Sequence, residues 1–202
     1  MEELVKQIPK FKGNWLYLFC DNLEEITDQQ MKEISEFKGK CLHIMCRSLK
    51  NITDVQAQYL ASFKGEWLQI HLKTLTNHQA KIFSTFKGKE LDLHEIKRLT
   101  DTQVKYLSQF QGDCLGLSDV TKITTTQAFY FSQFQGKYLL LTSLTSLTDL
   151  QAKYLSYFEG KNIYVLGLKQ VNDKQVEYFS KKKGVFLLKK AILSEHQKEI
   201  LK

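Results

Sequence analysis

Metal-binding and redox capacity is confined to a few residues in this 202-residue chain, which has five histidines and four cysteines. His71 and His94 fall at equivalent places in their local sequence, and Met45 falls at a third such place. His43 and Asp92 each stand two residues before one of these. Imidazole together with a carboxylate suits zinc, whereas a thioether ligand favours copper. There is no His-x-x-x-His spacing, so His71, His94 and Asp92 can share an ion only if the fold lays distant segments side by side. They are carried forward as the metal candidates of an alternative reading, a metal-dependent enzyme or sensor. No cofactor is expected.

The cysteines Cys20, Cys41, Cys46 and Cys114 show no Cys-x-x-Cys pair, which argues against a zinc ribbon or a thioredoxin-type motif. Reduced thiols are expected, with Cys20 and Cys46 as small core-lining residues. A Gly-rich phosphate loop, a nucleophile elbow and a paired-carboxylate motif are all missing, and no enzymatic activity is expected.

The elements that would position these side chains are written as a repeat. Phe-x-Gly recurs at Phe11/Gly13, Phe37/Gly39, Phe63/Gly65, Phe86/Gly88, Phe110/Gly112, Phe134/Gly136 and Phe158/Gly160, and an eighth copy keeps Gly184 with Lys182 in place of Phe. The glycine intervals are 26, 26, 23, 24, 24, 24 and 24 residues. After each glycine comes an alternating apolar pair: Leu16/Leu18, Leu42/Ile44, Leu68/Ile70, Leu91/Leu93, Leu115/Leu117, Leu139/Leu141 and Ile163/Val165. Period two marks a strand with one face buried. In the last copy Leu187 reads as the first apolar residue, and Lys189 stands at the second place.

Helix starts follow at Thr27, Thr53, Thr76, Thr100, Thr124, Thr148, Asn172 and Ser194, each with a Gln three residues on. This spacing is a capping box, in which cap and Gln satisfy each other's backbone N–H. The recurring Thr, Asp and Gln are therefore structural rather than catalytic. The glycine after each helix is expected to serve as a left-handed C-cap. Leu4, Val5, Ile8 and Phe11 suggest a partial repeat capping the first strand.

The pattern F-x-G-x-x-L-x-L followed by L-x-x-L-T-D-x-Q-A-x-x-L-S resembles bacterial leucine-rich-repeat proteins with short helical repeats. It departs from the best-known consensus in having no regular Asn ladder after the strand. The resemblance implies an interaction module without naming a ligand. The expected fold is an α/β, right-handed solenoid: eight strand–helix repeats, a parallel sheet on one face and short helices on the other. The division is one domain over 1–202, with a cap helix at 1–10, seven repeats at 11–181 and a degenerate capping repeat at 182–202.

Such a sheet presents its outward side chains as rungs about 4.8 Å apart, a face roughly 35 Å long. The first rung carries Trp15, Tyr17 and Phe19; the second His43 and Met45; the third Trp67, Gln69 and His71; the fourth Asp92 and His94. Tyr138 and Tyr164 follow, beyond a nearly bare fifth rung, Cys114, Gly116 and Ser118, that reads as a dip. Phe186 and Leu188 are expected outward on the last. Aromatic anchors beside Met have the composition of a binding hot spot, so an unidentified protein partner is expected on this face, which takes in the ten residues named on the first four rungs together with Tyr138 and Tyr164. Nucleic acid or another polyanion is the alternative partner, along an edge lined by Lys12, Lys38, Lys40, Lys64, Lys87, Lys89, Lys137 and Lys161. The net charge of +7 permits this. No apolar stretch is long enough to span a membrane, and with no signal core a cytoplasmic location is expected.

Overall fold

A computed structural model describes residues 8–19, 26–45, 51–182, 184–189 and 193–200. The alternating segments are strands: β1 (Trp15–Phe19), β2 (Cys41–Met45), β3 (Trp67–His71), β4 (Glu90–His94), β5 (Cys114–Gly116), β6 (Tyr138–Leu140), β7 (Asn162–Tyr164) and β8 (Val185–Leu187). They pair in chain order as a single, open, all-parallel sheet. Each strand is followed by a helix: α1 (Asp28–Ser35), α2 (Asp54–Ala61), α3 (Asn77–Phe83), α4 (Asp101–Leu107), α5 (Thr125–Ser132), α6 (Asp149–Ser156), α7 (Asp173–Ser180) and α8 (Glu195–Ile200). The chain is thus an α/β repeat solenoid of eight strand–helix units. Among the described residues no helix is long and apolar enough to cross a membrane. Of the cap helix expected at 1–10, only Ile8–Lys10 falls within the described residues, and it is a 3₁₀ turn.

The helices are too short to be stable alone, so the links between repeats decide the fold. The capping box forms at all seven of Thr27, Thr53, Thr76, Thr100, Thr124, Thr148 and Asn172, and Ser194 exchanges the same two bonds with Gln197. The same glutamines reach further. Their Nε2 groups donate to main-chain carbonyls of the preceding repeat, as in Gln56 to Ile26 at 2.6 Å, Gln79 to Ile52 at 2.7 Å and Gln151 to Ile123 at 2.8 Å. This glutamine ladder, buried behind the helix starts, ties each repeat to its predecessor. A second tie joins three of the caps to the acid one repeat back: Thr53 Oγ1 to Asp28 at 3.1 Å, Thr124 Oγ1 to Asp101 at 2.7 Å and Asn172 Nδ2 to Asp149 at 2.8 Å.

The Phe-x-Gly residues form the second longitudinal element. Phe11, Phe37, Phe63, Phe86, Phe110, Phe134 and Phe158 stack in sequence with ring centroids 6.0–6.3 Å apart. The spine ends on a cation. Lys182 is buried, its Nζ lies 5.0 Å from the Phe158 ring centre and donates to Gly160 O at 2.7 Å.

Two sequence expectations are corrected here. The glycines are not left-handed C-caps, because none has positive φ. The helices close on right-handed residues such as Glu36, Ser62 and Ser108. Glycine is required by crowding instead: a Cβ at Gly39 would fall 2.1 Å from the Phe37 ring and 2.5 Å from Gly13 O. The last rung is also shifted by one residue. Phe186 pairs with Ile163 and Leu187 with Tyr164. A one-residue slip exchanges the two faces, so Phe186 points into the core, stacking on Phe179 at 3.8 Å, and Val185 and Leu187 take the outward places.

Candidate functional site

Strand alternation places the outward side chains in three columns. The first runs Trp15, Cys41, Trp67, Glu90, Cys114, Tyr138, Asn162; the second runs Tyr17, His43, Gln69, Asp92, Gly116, Leu140, Tyr164. The third carries Phe19 beside Met45 and His71 beside His94.

The aromatic rung is exposed. Trp15, Tyr17 and Phe19 keep 51%, 50% and 64% of their surface, too much for core residues. Trp15 also stacks on Trp67 at 5.3 Å and 12°. The two indoles come together across the second rung, where Cys41 is fully buried. Trp15 further stacks on Tyr17 at 6.3 Å, and Tyr17 tilts against His43 at 5.6 Å. Edge packing and exposure therefore hold together. Tyr138 and Tyr164 are half-buried and lie beyond the fifth rung, apart from this group.

Next to the aromatics, three imidazoles from three successive strands gather. Ring centres lie 5.4 Å apart for His43 and His71, 6.0 Å for His43 and His94, and 4.8 Å for His71 and His94. One ligand nitrogen from each falls within 4.8 Å of the other two. The trio expected from sequence was His71, His94 and Asp92. His43 takes the third place instead, because Asp92 turns along its own strand and holds His94 Nε2 at 3.2 Å. Asp92 also fills the expected dip: a Cβ on Gly116 would lie 2.3 Å from its Oδ1. The fifth rung is thus occupied from its neighbour.

Two acids that the strand pattern did not single out complete the surroundings. Glu95 Oε1 lies 3.2 Å from His71 Nδ1, and Asp119 lies 3.8 Å from His94 Nδ1. Glu95 is the one non-glycine with positive φ among the described residues, at 66°, a conformation that costs roughly 1 kcal/mol or more. Its amide donates to Asp119 Oδ2 at 2.9 Å. Glu95 and Asp119 also line an open depression of about 560 Å³ with Lys73, Lys97 and Arg98. The run His94-Glu95-Ile96-Lys97-Arg98 was the available sequence signal, but nothing in it announces the left-handed turn.

These surroundings shift the ionisable groups. The Asp92 hydrogen bond raises the His94 pKa, while burial, helped by His71 and His94, lowers that of His43. Burial raises Glu90, whose Oε1 accepts from Gln69 Nε2 at 3.1 Å. Burial also pushes the Cys41 thiol up to about 11 and raises Cys114. Both cysteines are free and inert in character. Cys20 and Cys46 lie outside the described residues.

The lysine edge is less basic than its sequence. Glu66 pairs with Lys89 at 2.8 Å and Lys40 at 3.7 Å, and Asp113 pairs with Lys137 at 3.1 Å. Lys12, Lys38, Lys64, Lys87 and Lys161 are exposed. Compared with known proteins, the chain matches no family model and no curated sequence.

Proposed function

We propose that this chain is a non-catalytic, leucine-rich-repeat-like scaffold that binds a protein partner on the N-terminal part of its outward sheet face, in the cytoplasm. The observation that carries this reading is the exposed rung of Trp15, Tyr17 and Phe19, extended by the stack of Trp15 on Trp67. Large aromatic side chains held in an exposed group are the usual anchors of an interface. Here they project from a parallel sheet whose neighbours are tied by main-chain and glutamine bonds, so little ordering is needed on binding. Acids that pair with three of the eight edge lysines make the polyanion reading second.

The test is affinity capture from source-cell lysate, comparing the chain with a Trp15→Ala/Tyr17→Ala variant whose fold is verified by circular dichroism. A protein retained by the first and lost by the second is the expected result. Equal capture by the folded variant overturns the site. Capture of nucleic acid that falls steeply with added salt moves the function to the lysine edge.

A further inference from the structure

We propose that His43, His71 and His94 form a binding site for a divalent transition-metal ion of the zinc class, separate from the partner-binding role of the aromatic rung. Three of the five histidines in the chain are 28 and 23 residues apart in sequence, yet one nitrogen from each lies within 4.8 Å of the others. The parallel register produces this: His71 and His94 are direct neighbours on β3 and β4, and His43 leans across from β2.

The hydrogen bonds around the cluster have the form of an outer shell. Metal-binding imidazoles characteristically give their second nitrogen to a carboxylate, which fixes the ring and raises its basicity. Glu95 engages Nδ1 of His71 and Asp92 engages Nε2 of His94, each at 3.2 Å. Nε2 of His71 then remains for an ion, as does Nδ1 of His94, which Asp119 faces at 3.8 Å, beyond hydrogen-bond distance. His43 contributes Nε2, which is buried and without a hydrogen-bond partner. Buried polar atoms are rarely left unpaired. Among the described residues three side-chain atoms are, and two of them, His43 Nε2 and Asp92 Oδ1, belong to this cluster.

The charge balance also favours a cation. Asp92, Glu95 and Asp119 approach the imidazoles at 3.2, 3.2 and 3.8 Å. An all-imidazole set suits zinc, copper, nickel and iron over calcium or magnesium. Zinc–nitrogen bonds of about 2.0–2.1 Å put tetrahedral donors roughly 3.4 Å apart. Side-chain rotation has to close the nitrogens by at most about 1.4 Å to reach that distance. Three ligands leave one position of a tetrahedral ion open to solvent.

The experiment uses the full chain without a histidine tag, stripped with chelator and titrated with zinc by calorimetry; cobalt(II) absorption reports the ligand field in parallel. One zinc per chain is expected, with a tetrahedral cobalt spectrum. Asp92→Asn weakens binding roughly 10–100-fold, and His71→Gln weakens it further. His78→Gln and His196→Gln leave it unchanged. His71 and His94 are only half-buried, so their variants keep the fold, verified by circular dichroism, even if a change at buried His43 does not. Absence of saturable zinc binding overturns the site, as does binding that persists in a folded His71→Gln/His94→Gln variant. The aromatic rung is untouched by these substitutions, so loss of zinc leaves the partner test independent.

Discussion

At Gly116 a methyl group has no room, because Asp92 leans from the adjacent strand into the space a Cβ would take. Gly116→Ala therefore pushes the carboxylate away from His94. The expected result is a lower His94 pKa, read by NMR titration of the chelator-treated chain. The sign of the linked stability follows. A base whose folded pKa is raised contributes stability that is complete below its unfolded pKa and fades as pH rises through the folded value. Gly116→Ala flattens that decline in urea melts taken across the histidine range. Period-two alternation made the outward columns legible, so the strand positions of Trp15, Tyr17, Phe19, His43, His71 and His94 could be read from sequence. Alternation says which face a side chain takes, and nothing about how it turns once there. That is why Asp92 was read as a ligand, and Gly116 as a dip. The positive φ of Glu95 was illegible for a related reason: the residues that bond to Glu95 in this turn, Asp119 and His71, are both more than 20 residues away.

At the scale of the element, the capping glutamines serve two partners through two atoms. Gln79 Oε1 accepts from the Thr76 amide at 2.9 Å, and its Nε2 donates to Ile52 O at 2.7 Å. Gln79→Glu separates the roles: the capping box survives, since Glu serves it as well as Gln, but the donor to Ile52 is gone. A buried carbonyl left unpaired costs about 1–3 kcal/mol, and the variant is expected to lose stability of that order in urea titrations, with its helix content unchanged. Equal stability would show that the ladder contributes nothing beyond the cap. Sequence spacing revealed the box because both members lie within four residues. The ladder bond crosses to the preceding repeat, where a main-chain acceptor has no sequence signature. The expected C-cap glycines failed similarly, since their need arises from a phenyl ring and a neighbouring repeat's carbonyl.

Across the whole molecule, a period of 23–26 residues was enough to order eight strands correctly, because each repeat can bury its apolar face only against the next. The reading broke at the last rung, where β8 begins directly after Gly184 and Phe186 takes the inward place. There the Phe-x-Gly signal is already lost to Lys182. Burial holds the Lys182 pKa below its ordinary value. Between that lowered value and about 10.5 the unfolded chain binds more protons, so stability rises with pH over this window. Lys182→Met removes the titration, and the stability of the natural chain relative to the variant is expected to climb with pH in alkaline melts; parallel curves would refute it. The ammonium group on Phe158 has a wider consequence. A column of identical rings has no internal signal to stop. Lys182 takes the place of an eighth ring, so the column closes at seven on a buried amine held against Phe158.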